Sequence, residues 1–187
     1  MHEQHYLQDA VLQLRKLKAQ ADRALGQVRE EDWFKTLDPA SNSIAVIMKH
    51  VAGNMRSRWT DFLTSDGEKP DRNRDAEFVI EPSDTGQSVR DRWEAGWRLV
   101  FEALAPLGSD DLMRSVTVRG ERHSVTEAIN RQMTHYAAHV GQIVLLAKHL
   151  AGPGWTSLSI PRGESRQVDV GKSGEPHSLD AEGRPRG

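Results

Sequence analysis

Apolar residues recur every three or four positions along four stretches of the chain, which predicts four amphipathic α-helices. Polar turn residues separate the stretches, and capping residues mark two of the starts. Ser41 and Asn42 precede the second stretch, and Ser124 stands three residues before Glu127 at the start of the fourth, the spacing of a capping box. The predicted helices cover residues 7–28, 44–62, 86–104 and 125–150.

The connections between the predicted helices differ in kind. Residues 64–84 form a long polar loop with Gly and Pro, and loops beyond about 15 residues within a domain are often functional or disordered. Residues 115–125 alternate around Gly120, which predicts a small β-hairpin. The segment "WTSLSIPRGES" after the fourth helix keeps apolar anchors, whereas residues 166–187 are rich in Gly, Ser, Pro and charge, which predicts a disordered tail.

These elements predict an all-α fold, with residues 1–165 as one domain. The simplest arrangement is an up-down four-helix bundle with a long crossover loop, the small β-hairpin before the last helix and a C-terminal flap. A chain of 187 residues is long enough to bury a core of this size. The tryptophans at positions 59, 93, 97 and 155 are expected to lie in that core.

Composition removes several classes of function. A formal net charge of −2, with basic residues scattered among acidic ones, argues against a dedicated nucleic-acid-binding protein. The absence of cysteine excludes disulfides, thiolate metal ligands and a cysteine nucleophile. The N-terminal segment lacks the apolar stretch of a signal peptide, and no apolar run approaches the roughly 20 residues that span a bilayer. We therefore expect a cytoplasmic protein that binds neither nucleic acid nor membrane.

Two histidines in "RQMTHYAAHVGQI" are the first candidate for chemistry. His135 and His139 are four residues apart, so their side chains lie about 40° apart on a helical wheel and point the same way. Their face also carries Gln132 and several apolar residues, so it is expected to point into the core, and imidazoles buried there need either a metal ion or a hydrogen-bond network. Tyr136 stands where a zinc protease of the HExxH type has its glutamate, so that class is excluded.

A third ligand would turn the pair into an open metal site, because catalytic centres commonly use three protein ligands. His50, in the middle of the second predicted helix, is the best candidate. His149 points away from His139 on the same helix, and His123 in the hairpin is expected to be exposed. Spacing alone leaves two alternatives open, a triad of His50, His135 and His139 or three structural or exposed histidines.

Polar residues near these histidines could line a pocket. Asn54 and Arg58 follow His50 on its own face, where Asn54 could orient a ligand and Arg58 could hold a carboxylate or phosphate. Asp61 shares that face, and an ion pair between Arg58 and Asp61 is the alternative. Gln142, three residues after His139, could orient that imidazole.

Two further charged segments have open interpretations. Arg162, in "SIPRGES", could close over the pocket as part of a flap, or its segment could simply pack down as a strap. The charges of the long loop indicate a solvated or loop-folding network: Asp66, Glu68, Lys69, Arg72 and Arg74.

Three blocks of the sequence resemble an uncharacterised bacterial branch of the DinB-like (YfiT-like) superfamily. They are "NSIAVIMKHVAGNMRSRWTDFLTSDGEKPDRNRDAEF", "INRQMTHYAAHVGQI" and "WTSLSIPRGES", and the match extends over about residues 7–165. The resemblance implies an up-down-down-up four-helix bundle, frequent homodimers and a divalent metal, usually zinc or nickel, held by three histidines. The positions that match those histidines are His50, His135 and His139.

The resemblance carries less information about the reaction. Other branches of the superfamily transfer low-molecular-weight thiols in metal-dependent reactions, which implies a small-molecule substrate and a thiol S-transferase. Two alternatives stay open: a non-enzymatic metal-binding stress or accessory protein and, less favoured, a metal-dependent hydrolase. Because the chain has no cysteine, the nucleophile of a transferase would be an external thiol.

Overall fold

The computed structural model describes residues 2–164 and 166, so the predicted tail lies outside the described residues apart from Arg166. Within this part of the chain the fold is mostly helical, with four α-helices and one antiparallel β-hairpin. The helices are α1 (His2–Leu25), α2 (Ile44–Trp59), α3 (Gly86–Leu104) and α4 (Val125–Ala151), and the strands are β1 (Ser115–Val118) and β2 (Glu121–Ser124).

The helix starts follow from side-chain caps. Ser124 and Glu127 form the predicted capping box, in which the backbone N–H of Glu127 donates to Ser124 Oγ over 3.2 Å. The N-cap of α2 is Ser43, whose Oγ accepts from the backbone N–H of Val46 over 3.2 Å. The prediction of Ser41 or Asn42 as the cap was therefore wrong, because only Ser43 stands directly before the first helical residue.

The second helix is shorter than its apolar stripe. It ends at Trp59, and the backbone of Asp61 has a φ of 50°, in the left-handed region that a right-handed helix cannot include. Phe62 is still buried and stacks at a tilt on Trp59, with ring centroids 4.8 Å apart. The apolar pattern was correct about burial here and wrong about helical structure.

The helices bury one apolar core. α2 packs along α3, α1 packs along α4, and α2 also contacts α4. Gly96 on α3 lets α2 approach closely, since a Cβ at this position would lie 3.3 Å from the Cα of Ala52. Burial of each large side chain contributes about 1.5–3 kcal/mol. Among the largest are Trp33, Trp93, Trp97, Tyr136, Met48 and Met55.

The expected core tryptophans follow this pattern. Trp59, Trp93 and Trp97 are buried, and Trp155 is half-buried and packs against the core.

None of the helices in the described part of the chain is long and apolar enough to cross a membrane.

The long loop between α2 and α3 is folded against the hairpin. The Asp66 carboxylate accepts hydrogen bonds from the backbone N–H groups of Arg119 and Gly120, each over 2.8 Å, at the turn between β1 and β2. The backbone N–H of Gly67 donates to the carbonyl of Thr117 over 2.7 Å. A short 3₁₀ turn, Asp75–Phe78, then brings the loop back onto α2. The loop-folding interpretation of its charges is therefore confirmed, and this return to α2 positions the site.

Candidate metal centre

Three histidines from two helices converge in the interior. His50 lies on α2 and is 6% exposed, and His135 and His139 lie one turn apart on α4 and are half-buried. One ring nitrogen of each lies within 4.8 Å of the others, and the Nε2 atoms of His135 and His139 are 3.1 Å apart. The rings meet nearly edge-on, with centroids 4.6–5.4 Å apart. The structure thus brings the predicted triad together.

His50 is oriented by a carboxylate from the long loop. Its Nδ1 lies 2.9 Å from Glu77 Oε2, and the same carboxylate receives two hydrogen bonds from Arg72, from Nε over 2.8 Å and from Nη2 over 3.0 Å. Burial alone would raise the pKa of Glu77, but the hydrogen bonds from His50 and Arg72 outweigh it and lower that pKa. An ionised carboxylate only accepts, so Nδ1 of His50 carries the proton and Nε2 is free to bind a ligand.

A glycine makes room for this carboxylate. A Cβ placed on Gly53, three residues after His50 on α2, would lie 2.2 Å from Glu77 Oε1 and 2.7 Å from its carboxyl carbon. Any larger residue would push the end of the Glu77 side chain away from α2. Gly53 therefore permits the contact between Glu77 and His50.

The α4 histidines are oriented differently. Gln142 Oε1 lies 2.8 Å from His139 Nδ1, so that nitrogen is the donor, and the unprotonated Nε2 of His139 faces Nε2 of His135. His135 Nδ1 is buried and has no hydrogen-bond partner among the described residues. The expected role of Gln142 in orienting His139 agrees with this geometry.

Both α4 histidines favour the neutral form that metal binding requires. Burial is the main cause that lowers the pKa of His135 to about 4, and the neighbouring His139 and His50 lower it further. Burial also lowers the pKa of His139, although its hydrogen bond with Gln142 opposes the shift. Near neutral pH these two rings therefore offer lone pairs rather than positive charge.

The three histidines fit a divalent metal ion. Imidazole nitrogens bind zinc at about 2.0–2.1 Å, which places two ligands of a tetrahedral centre about 3.3 Å apart. The separation of 3.1 Å between the Nε2 atoms of His135 and His139 is close to that value. Nδ1 contacts that orient His50 and His139 are also typical of metal-binding histidines. The group could therefore hold a metal ion with positions left open for another ligand.

A pocket of about 180 Å³ opens beside the histidines. Asn54 lines it, and its Oδ1 accepts from the Tyr136 hydroxyl over 3.2 Å, while that hydroxyl accepts from Trp59 Nε1 over 2.8 Å. The indole can only donate, so the hydroxyl must donate to Asn54, and the Asn54 amide N–H₂ has no acceptor among the described residues. The residues lining the pocket are His50, Asn54, Arg58, Arg72, Arg74, Arg119, Arg131, Gln132 and His135.

The remaining site candidates divide between the pocket and the surface. Arg58 lines the pocket and is 6% exposed, but it pairs with Glu68 over 3.0 Å and donates to the carbonyl of Gly67. The alternative of an ion pair between Arg58 and Asp61 was therefore wrong, because α2 ends before Asp61 and leaves that residue exposed.

Arg162 is exposed and does not line the histidine pocket. Its segment is tied instead to the end of α1, where the Gln27 amide exchanges hydrogen bonds of 2.7 Å and 3.1 Å with the backbone of Thr156. Among the described residues the C-terminal segment therefore behaves as a strap that packs down. His123 is half-buried, where exposure was expected.

Sequence reasoning missed Glu77, Gly53 and the role of Arg72. Arg72 was expected only as part of the charge network of the long loop, and Glu77 had no expected role, because no spacing rule connects either residue to His50. The pattern H-x-x-G from His50 to Gly53 gave one usable signal, since glycine inside a helix often marks close approach of another group.

A second and larger cavity, about 440 Å³, lies between α2, α3 and the loop. It shares Arg72 with the histidine pocket and is lined by Lys49, Asp84 and Arg92, but by none of the three histidines. Its size matches a typical small-molecule site. The chemistry of the triad, rather than cavity size, makes the smaller pocket the candidate site.

Comparisons with known proteins identify a family, but no individual curated protein or solved structure that is similar. A search of curated proteins and a search of solved structures each returned no match. A family model described as "Protein of unknown function (DUF1572)" matches residues 2–164, which includes the four helices, the hairpin and all three histidines. The chain therefore belongs to the DUF1572 family.

Proposed function

We propose that this protein is a metal-dependent transferase of the DinB-like type, which joins a low-molecular-weight thiol to a small-molecule electrophile. His50, His135 and His139 would hold the metal. The observation that carries the proposal is the convergence of three imidazole nitrogens, with two of the rings, His50 and His135, lining a pocket. A site of this kind leaves ligand positions open, whereas a structural metal site is usually closed by four protein ligands.

The proposed fold is the up-down-down-up four-helix bundle of that superfamily, assembled as a homodimer. Packing of α1 along α4 and of α2 along α3 supports the bundle. The long loop between α2 and α3 is the crossover that this helix order needs if those two helices run in the same direction.

Zinc or nickel is the proposed metal. Three neutral imidazoles suit either ion, and they also suit copper and iron. When bound, such an ion supplies Lewis acidity that favours the ionised form of a thiol. The protein contributes the orientation of the rings through Glu77 and Gln142, and a pocket that holds the substrates beside them.

The proposed reaction joins an external thiol to an electrophilic carbon that bears a leaving group. The S–H bond of the thiol breaks, a C–S bond forms, and the bond from that carbon to the leaving group breaks. The proton and the leaving group depart together as the conjugate acid. An external thiol is required because the chain contains no cysteine.

A hydrolase is less well supported, because it needs a general base near the histidines. Glu77 is the carboxylate in contact with the triad, and Arg72 and His50 hold both of its oxygens and lower its pKa. A carboxylate engaged in this way is a weak base. The non-enzymatic alternative, a metal-binding accessory protein, is disfavoured by the pocket beside the triad.

Metal analysis tests the site. We expect the purified protein, loaded with zinc or nickel and then desalted, to retain about one ion per chain. His50→Ala should lose it, and His149→Ala should retain it, because His149 is an exposed histidine of α4 outside the triad. Equal metal content in the wild type and His50→Ala would contradict the proposal.

A thiol panel tests the reaction. The metal-loaded protein would be incubated with an alkyl halide and cysteine, glutathione, bacillithiol or mycothiol, and loss of thiol would be followed. We expect turnover with at least one thiol that depends on both the metal and His50. Tight metal binding without turnover for any thiol would instead support the accessory protein.

A further inference from the structure

Arginine is concentrated around the histidine pocket. Five of the nine residues that line it are arginines, while the chain as a whole has a net charge of −2. The local positive charge is therefore a property of this pocket and not of the overall composition. The five are Arg58, Arg72, Arg74, Arg119 and Arg131.

Two carboxylates neutralise part of this charge. Glu68 accepts from Arg58 over 3.0 Å and from Arg119 over 2.9 Å, and it lies 3.4 Å from Arg72. Glu77 accepts two hydrogen bonds from Arg72. The five guanidinium groups therefore outnumber the carboxylates that pair with them by three.

The other two arginines have no carboxylate partner within the described residues. Arg74 lies in the loop, with its guanidinium 5.1 Å from the centroid of the Phe78 ring. Arg131 is exposed on α4, one turn before His135. Both residues line the pocket, and their guanidinium groups have no carboxylate in the described part of the chain to compete with a ligand.

Donors that are already buried point to the same chemistry. Arg58 Nε is buried without a hydrogen-bond partner in the described part of the chain, which is costly for a charged group. The Asn54 amide N–H₂ is also left free by the hydrogen bond between Tyr136 and Asn54 Oδ1. Unused donors in a positively charged pocket are typical of a site for an anion.

We propose that this pocket binds the anionic group, a carboxylate or phosphate, of a small organic substrate, with Arg74 and Arg131 as its principal anchors. This inference rests on the proposed function, because the anchored molecule would present its reactive end to the histidines. The volume of about 180 Å³ lies below the roughly 300–1,000 Å³ of common ligand sites, which suits a compact anion.

Calorimetric titration of the full-length protein tests the proposal. Inorganic phosphate and succinate would be added separately to metal-free protein, at an ionic strength held constant with sodium chloride. We expect at least one of them to bind. The double variant Arg74→Gln/Arg131→Gln should weaken that binding by at least about tenfold, since each guanidinium supplies charge-assisted hydrogen bonds. The identity of the tighter probe distinguishes a phosphate from a carboxylate ligand.

A second pair of arginines is the matched control. Arg15 is an exposed arginine 4.7 Å from the centroid of the Phe101 ring, and Arg98 is exposed on α3; neither lines the pocket. Arg15→Gln/Arg98→Gln removes the same charge and should bind the anion as the wild type does. The charge-conserving variant Arg74→Lys/Arg131→Lys should recover part of the affinity.

Three results would overturn the proposal. The first is that neither probe binds the wild type. The second is that the two Gln double variants lose equal affinity for the anion. The third is that the anion binds only zinc-loaded protein and still binds it after Arg74→Gln/Arg131→Gln. The metal-free titration does not depend on the triad. Failure of the histidines to bind metal and failure of the arginines to bind an anion are therefore separate outcomes.

Discussion

His50 and His139 are each oriented through Nδ1, but by partners of opposite kinds. His50 contacts Glu77, a buried carboxylate that is 27 residues away in sequence and is itself held by Arg72. His139 contacts Gln142, a neutral and exposed side chain three residues further along the same helix. The two contacts have almost the same length, 2.9 Å and 2.8 Å.

Equal length does not mean equal strength. A hydrogen bond to an ionised acceptor contributes about 1.5–3 kcal/mol, whereas a neutral bond contributes about 0.5–1.5 kcal/mol, and water competes for an exposed one. The orientation of His50 on α2 should therefore depend on the loop, whereas the orientation of His139 on α4 should depend almost only on its own helix. Substitutions of the supporting residues, rather than of the histidines, test this difference.

Glu77→Gln should have the largest effect. The amide keeps the shape of the side chain but loses the charge that favours a proton on His50 Nδ1 and that pairs with Arg72. Zinc affinity should fall about 10- to 100-fold, the usual cost of losing a partner that orients a metal ligand. The metal-free protein should also lose about 1–3 kcal/mol of unfolding free energy, because Arg72 remains buried with a weaker partner. Competition with a zinc chelator and thermal denaturation measure the two effects.

Glu81→Gln is the control for this change. Glu81 is an exposed glutamate of the same loop, and its side chain has no ion pair with any described residue. The same loss of charge at position 81 should leave zinc affinity unchanged. If Glu77→Gln and Glu81→Gln bind zinc with equal affinity, the contact between Glu77 and His50 does not contribute to zinc binding.

Gly53→Ala should have an intermediate effect. The new methyl group would lie only 2.2 Å from Glu77 Oε1, so the flexible end of that side chain must move. We expect zinc affinity to fall about tenfold while α2 stays helical, since alanine is a better helix former than glycine. Circular dichroism and chelator competition separate the two properties.

Gly141→Ala is the matched control. Gly141 is exposed on α4 between His139 and Gln142, and a Cβ there would meet nothing within 4 Å. This substitution should stabilise the protein by about 0.5–1 kcal/mol and leave zinc affinity unchanged. A comparable loss of affinity in both variants would mean that helix flexibility, and not the position of Glu77, controls the site.

The contrast between a contact within one helix and a contact between distant segments also explains what the sequence could predict. His135, His139 and Gln142 share one helix, so the spacing of 3.6 residues per turn placed them correctly. The capping box of Ser124 and Glu127 is equally local, and it was confirmed. Apolar periodicity also located α3 at residues 86–104, where the structure has it.

Contacts that cross between segments were not predictable in this way. Glu77 reaches His50 only because Asp66 fixes the loop to the hairpin turn and a 3₁₀ turn returns the chain to α2. Neither step leaves a periodic signal. The expected Arg58–Asp61 pair failed for a related reason: it assumed a helix that continued past Trp59, and the backbone at Asp61 is left-handed.

Substitutions of Gln142 should change zinc affinity the least, yet they are the most informative, because two of them should act in opposite directions. Gln142→Ala removes a neutral, exposed hydrogen bond worth about 0.5–1 kcal/mol, which predicts a loss of zinc affinity of only about two- to fivefold. Gln142→Glu places a charged acceptor against His139 Nδ1, as Glu77 does at His50, and should raise affinity by a similar factor. Because position 142 is exposed, that gain should shrink as salt concentration rises. If Gln142→Glu binds zinc no better than Gln142→Ala at low salt, the charge of the supporting residue is not what separates the two halves of the site.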